Sequence, residues 1–199
     1  IAIGGTAAFE PAFATVNHNA GIVTGSGGAM NVPSGTTYNF NVGATLAGFS
    51  GVANAGTFNI TSTVGIEQNI TNNGTLNWNT GQITSAAGST LTNNATMTIA
   101  AINQATVEIN FVNAVGGTVT KATNNAGQII PTSFVNIGTL SIPTGTSMTF
   151  SGAFTNSGTV SAAGFFSKTG GSMTFNGGSF GGAGVLTLSG AIAIGGTAA

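Results

Sequence analysis

The chain has 199 residues, only 3% of them charged, and a formal net charge of −1. That charge excludes an electrostatic hold on nucleic acid or an anionic membrane surface, and the lack of cysteine excludes disulfide staples and thiolate metal sites. What remains is 41% hydrophobic residues, with 13 Phe and 33 Gly, a composition that buries a core but lacks the acids and bases of an ordinary enzyme.

Residues 1–8 read IAIGGTAA, and residues 192–199 read the same. Eight identities at an offset of 191 (192 minus 1) point to a tandem array. Residues 1–191 are then one unit, and 192–199 begin the next by repeating 1–8. No run of about 18 apolar residues interrupts the chain, so no transmembrane helix is expected. The next segment, FEPAFATVNHNAG, holds Glu10 and His18 and reads as an irregular turn or insertion with too few ligands for a metal.

From there a phrase recurs: apolar, x, Asn, x, Gly, Thr, apolar, x, apolar. Its anchors are Gly21, Gly56, Gly74, Ala95, Gly117, Gly138, Gly158 and Gly184. The long gap between Gly21 and Gly56 is expected to hide one more coil, with Gly35 or Gly43 as a degenerate anchor. The unit then contains about nine coils of roughly 21 residues, the signature of a solenoid.

The local period decides which solenoid. Phe58 and Ile60, Leu76 and Trp78, Met97 and Ile99, Leu140 and Ile142, and Leu186 and Leu188 each sit two apart, which is strand periodicity. No stretch carries the stripe of an amphipathic helix, and Gly, Asn, Thr and β-branched residues are poor helix formers. The expected fold is all-β: a parallel β-helix, right-handed by crossover chirality, with coils stacked at about 4.8 Å.

Stacking assigns each position a role. Val52, Ile70, Leu91, Phe134, Phe154 and Phe180, four residues before their anchors, are expected to form an inward core ladder. Asn19, Asn54, Asn72, Asn93, Asn136 and Asn156, two before, are expected to form an amide ladder at a turn, with Asn113 nearby in a coil carrying an insertion. The anchor glycines are expected to supply φ > 0 at a corner, although Ala95 departs from that pattern. Thr57, Thr75, Thr96, Thr118, Thr139 and Thr159, one after, are expected to point outward beside a second file of Asn59, Asn77, Thr98, Thr120, Ser141 and Ser161. Such a flat array suits binding to ice or a polysaccharide; equally, stacked Thr is ordinary on a polar sheet face.

Chemistry is sparse. Glu67 and Glu108 fall two coils apart, too far for a hydrolytic carboxylate pair, and read as solvated surface positions. Lys121 and Lys168 interrupt the apolar pattern and are expected to reach outward. The sequons at Asn59, Asn69, Asn73 and Asn94 follow from an Asn- and Thr-rich composition. No catalytic, cofactor or metal site is expected.

Phrases such as ITNNGTLNW, LTNNATMTI, FVNIGTLSI, FTNSGTVSA and GAGVLTLSG resemble the coils of haemagglutinin-like and autotransporter-like β-helix adhesins, the tandem-repeat surface proteins of bacteria. The resemblance covers roughly residues 50 to 190 at the level of repeat and composition. It implies secretion to the cell surface or beyond, a long multi-unit parent chain and an adhesive or mechanical role. The near-absence of charge departs from that pattern and suits lateral packing in a fibre or sheath. The expected partners are adjacent copies of the same unit, head to tail.

Overall fold

The computed structural model describes residues 2–3, 8–85, 88–100, 109–122, 128–130, 132–191 and 193–197. Their secondary structure is entirely strand and turn, and every strand pairing is parallel. Short strands of two to five residues wind into a β-solenoid with three faces.

Two faces are continuous sheets of nine strands each. One runs from Met30–Val32 through Val52–Asn54 and Ile70–Asn72 to Ala193–Thr197, and is called the amide sheet below. The other runs from Thr15–His18 through Thr57–Ile60 and Thr75–Trp78 to Ser179–Gly181, the hydroxyl sheet. A five-stranded sheet beginning at Ala2–Ile3 and a four-stranded sheet ending at Val185–Leu188 form the third face. The expected nine coils correspond to nine rungs, which make about eight turns of roughly 20 residues. One of those coils fills the gap between Gly21 and Gly56, as expected, with strands at Met30–Val32, Thr37–Phe40 and Ala44–Ala47.

Alternation packs the inside. Strands repeatedly read buried at every second residue, so one file of each strand enters the core. Val52, Ile70, Leu91, Phe134 and Phe154 share a single column of the amide sheet, joined by Met30, Phe111 and Met173. Within it Phe111, Phe134 and Phe154 stack, with centroids 5.8 and 5.9 Å apart. Phe180 does not belong to that column. It pairs with Val160 on the hydroxyl sheet and is half-buried, because Gly178 rather than Gly184 precedes its rung.

Among the anchor glycines only Gly21 has the expected positive φ, at 80°, and the others act differently. Gly56, Gly74, Gly117, Gly138, Gly158 and Gly184 have no positive φ; instead a Cβ on each would run into a backbone carbonyl of the coil beneath. At Gly138 that carbonyl belongs to Gly117. These residues are glycine because the corner packs backbone on backbone. Positive φ occurs in the wider corners, at Gly35 (84°), Gly116 (83°) and Gly145 (79°). There Thr36 N–H donates to Pro33, Gly117 N–H to Ala114 and Thr146 N–H to Pro143, with glycine at the third position as a type II turn requires.

The described parts of the repeated octapeptide take two placements. Ala2–Ile3 pairs with Thr24–Gly25 on the third face, whereas Ala193–Thr197 pairs with Ser172–Asn176 on the amide sheet.

Candidate contact face and the buried polar ladder

The asparagine ladder lies inside the fold. Asn54, Asn72, Asn93, Asn113, Asn136 and Asn156 end strands of the amide sheet in perfect register and are all buried. Each amide donates one N–H to the next Oδ1: Asn54 to Asn72 at 2.6 Å, Asn72 to Asn93 at 2.7 Å, Asn93 to Asn113 at 2.9 Å, then Asn113 to Asn136 and Asn136 to Asn156 at 2.8 Å. The amides also donate to the backbone carbonyls of Thr75, Thr96, Thr118, Thr139 and Ser179, and Asn136 to Thr159. One side chain thus ties successive rungs and the adjoining sheet together, which rewards full satisfaction and penalises any gap.

The ladder has a polar sense. Every N–H points toward the C-terminal end, so the first Oδ1, that of Asn54, faces Val32 and is buried without a donor. Asn19 is not a member. It is exposed and accepts from Asn41 at 2.8 Å on the outside, because its Asn-x-Gly spacing falls between a hydroxyl-sheet strand and the third face.

The outward files of the hydroxyl sheet are as expected in register. Thr57, Thr75, Thr96, Thr118, Thr139 and Thr159 stack in one file, extended by Thr15, Thr37 and Ser179. Two residues further along, the second file runs Asn17, Asn39, Asn59, Asn77, Thr98, Thr120, Ser141, Ser161. Its two halves differ. The four asparagines bond along the axis, Asn39 to Asn17 and Asn59 to Asn39 at 2.8 Å, and Asn77 to Asn59 at 2.9 Å. In the other half, the hydroxyls of Thr98, Thr120, Ser141 and Ser161 have no hydrogen-bond partner among the described residues. The sequence did not reveal that division, because Asn and Thr look interchangeable until their bonding is seen.

Both lysines depart from expectation. Lys121 and Lys168 are fully buried, with Nζ donating to the Ile99 carbonyl at 3.2 Å and the Gly152 carbonyl at 2.7 Å respectively. Burial pushes both amines below the ordinary lysine value. The hydroxyl face therefore carries no cation. Nor is His18 in an irregular turn: it ends the strand Thr15–His18, is buried, bonds the Gly21 carbonyl through Nε2 at 2.9 Å, and meets the Tyr38 hydroxyl through Nδ1 at 3.1 Å. Desolvation lowers its pKa, opposed by the Gly21 bond, while the same burial pushes the Tyr38 hydroxyl well up.

The acids form no site. Glu10 is exposed and accepts from Asn31 at 2.6 Å, and Glu67 is exposed just after the third-face strand Val64–Ile66. Glu108 lies outside the described residues. Among the described residues no three His, Asp or Glu side chains could hold a metal, and no helix is long and apolar enough to cross a membrane. No family model, curated protein or solved structure matches the chain.

Proposed function

We propose that this protein is a structural unit of an extracellular filament, sheath or fibre in which β-solenoids stack end to end. The observation that carries the reading is axial continuity: two nine-stranded parallel sheets and the buried amide ladder run unbroken along one axis. Leu186 and Leu188 continue the inward columns of Phe166 and Lys168, yet they are 48% and 45% exposed. Beside them a concave surface is lined by Phe166, Phe180 and Val185. Core side chains and unpaired strand edges left open together are what a further coil covers, by burying apolar surface and extending the parallel ladder.

Support also comes from the repeated octapeptide, which makes another copy of this unit the natural occupant. An uninterrupted array requires its two copies to share one placement, so one of them shifts by one face when units join. No catalytic role belongs to this reading, and its resemblance to surface adhesins favours a location outside the cell. The test is end-to-end assembly of the chain and its loss in Leu186→Lys, which puts a charge on the stacking surface. Ordered fibres from the parent and monomers from the variant are expected. Parent chains that stay monomeric at high concentration contradict the reading.

A second reading, a binding module for ice or a polysaccharide, is favoured by the hydroxyls of Thr98, Thr120, Ser141 and Ser161, which have no hydrogen-bond partner among the described residues. It predicts a saturable ligand for the monomer.

A further inference from the structure

We infer that the hydroxyl sheet is a lateral interface that seats a second copy of itself with the solenoid axes antiparallel. This deepens the filament reading by naming the sideways partner, and it needs no end-to-end contact.

Three observations lead to it. The first is the pattern of the second file: four asparagines on the first four rungs, then four Thr or Ser on the next four. A two-fold axis parallel to the strands, passing between Asn77 and Thr98, sets each long amide opposite a short hydroxyl. Asn77 meets Thr98 of the second copy, and Asn17 meets Ser161 of the second copy. Every amide opposes a residue of complementary length, which is how an isologous interface must be built.

The second is hydrogen-bond capacity. Within the axial ladder each internal asparagine uses one N–H and one acceptor site on its neighbours, leaving a second N–H and further acceptor capacity to face outward. The hydroxyls opposite them have no partner among the described residues, and each can both donate and accept. The axial repeat of the two faces is identical because both are the same ladder, so a match at one rung is a match at all eight.

The third is charge and area. No charged side chain projects from these strands, since Lys121 points inward, so nothing repels an identical face. Eight rungs of four residues present about 500 Å² per copy, or about 1,000 Å² for the pair, at the lower limit of a specific interface. A polysaccharide is a poorer fit because neither outward file offers an aromatic ring for stacking.

The test uses single chains, so it can fail without end-to-end stacking failing. The protein lacks cysteine, so thiols can be introduced as position markers. In the proposed pair, Asn17 and Ser161 of opposite copies face each other, whereas the two Asn17 residues lie about 34 Å apart along the axis. The double variant Asn17→Cys with Ser161→Cys is treated with a bismaleimide that reaches across the roughly 10 Å between packed sheets. Covalent dimers are expected from the double variant and not from either single one. Sedimentation should show a concentration-dependent dimer for the parent, weakened at least about tenfold by Thr120→Lys, which sets an unpaired charge in the interface. Circular dichroism checks that each variant keeps its strands. A parent that remains monomeric, a double variant that does not cross-link, or single variants that cross-link equally well each overturn the proposal.

Discussion

Asn93 donates its side-chain N–H to Asn113 at 2.9 Å although the coil of Asn113 turns through the wider Ala114–Gly117 corner. The extra length is absorbed after Asn113, at Val115 and Gly116, whose positive φ lets the chain bulge outward. The ladder therefore passes an irregular coil without a break. Removing a rung from its middle should be costly: Asn113→Val strips the donor from the buried Asn136 Oδ1 and from the Thr139 carbonyl. A loss of about 2–4 kcal/mol is expected in a denaturant melt.

Asn54→Val should cost less. It strips a donor from Asn72 and from the Thr75 carbonyl, but it also deletes the one Oδ1 of the ladder that is already buried without a donor. The number of orphaned side-chain oxygens stays the same, and the Asn72 Oδ1 keeps a long bond from Gly74 N–H. The two melts should differ by about 1–3 kcal/mol in that order.

The two classes of glycine should respond differently to alanine. At Gly138 a Cβ would press on the Gly117 and Ala114 carbonyls, so Gly138→Ala must push two coils apart, at about 3 kcal/mol or more. At Gly35 a Cβ meets open space and only the positive φ resists it, so Gly35→Ala should cost about 1 kcal/mol. Thermal melts of the two variants compare them directly.

The first rung should loosen in mild acid. Because burial holds the folded pKa of His18 below 6.5, the unfolded chain takes up the proton first. Stability from neutral His18 is complete above about pH 6.5 and is lost as pH falls through the folded value. A protonated ring also turns Nδ1 into a donor facing the Tyr38 hydroxyl, whose proton must then swing away into a buried site. Hydrogen exchange at Asn41, whose N–H bonds the His18 carbonyl at 2.9 Å, should accelerate below pH 6.5 in the parent and lose that pH dependence in His18→Phe.

Lys168 acts in the alkaline range. Its folded pKa is lowered from 10.5 by burial, so the unfolded chain again holds the proton more tightly. Stability rises with pH between the folded value and 10.5. Lys168→Met should be more stable than the parent at pH 7 and should flatten that rise, as measured by melts from pH 7 to 11.

The repeat phrase made the fold legible because period-two alternation and coil length follow directly from strand geometry and stacking. The rungs Thr57 to Thr159 and the column Val52 to Phe154 could be placed from their spacing to the glycine alone. Asn19 and Phe180 could not, because Asn-x-Gly and Gly-rich phrases also occur at other corners and the one-dimensional pattern does not say which corner. The glycines were ambiguous for a similar reason: a residue chosen for close backbone approach and one chosen for positive φ are written with the same letter. Lys121 and Lys168 gave no signal of burial, since the carbonyls that receive them, Ile99 and Gly152, lie 22 and 16 residues away. The opposition of an amide half to a hydroxyl half became visible only once the register was known.

The central claim is that units of this solenoid continue one another along a common axis. Electron cryomicroscopy of assemblies grown from the chain tests it most directly. A layer line near 4.8 Å along the axis, with an axial repeat of roughly 40 Å per unit, is the result this account predicts. Discrete particles of one unit with no axial repeat would contradict it.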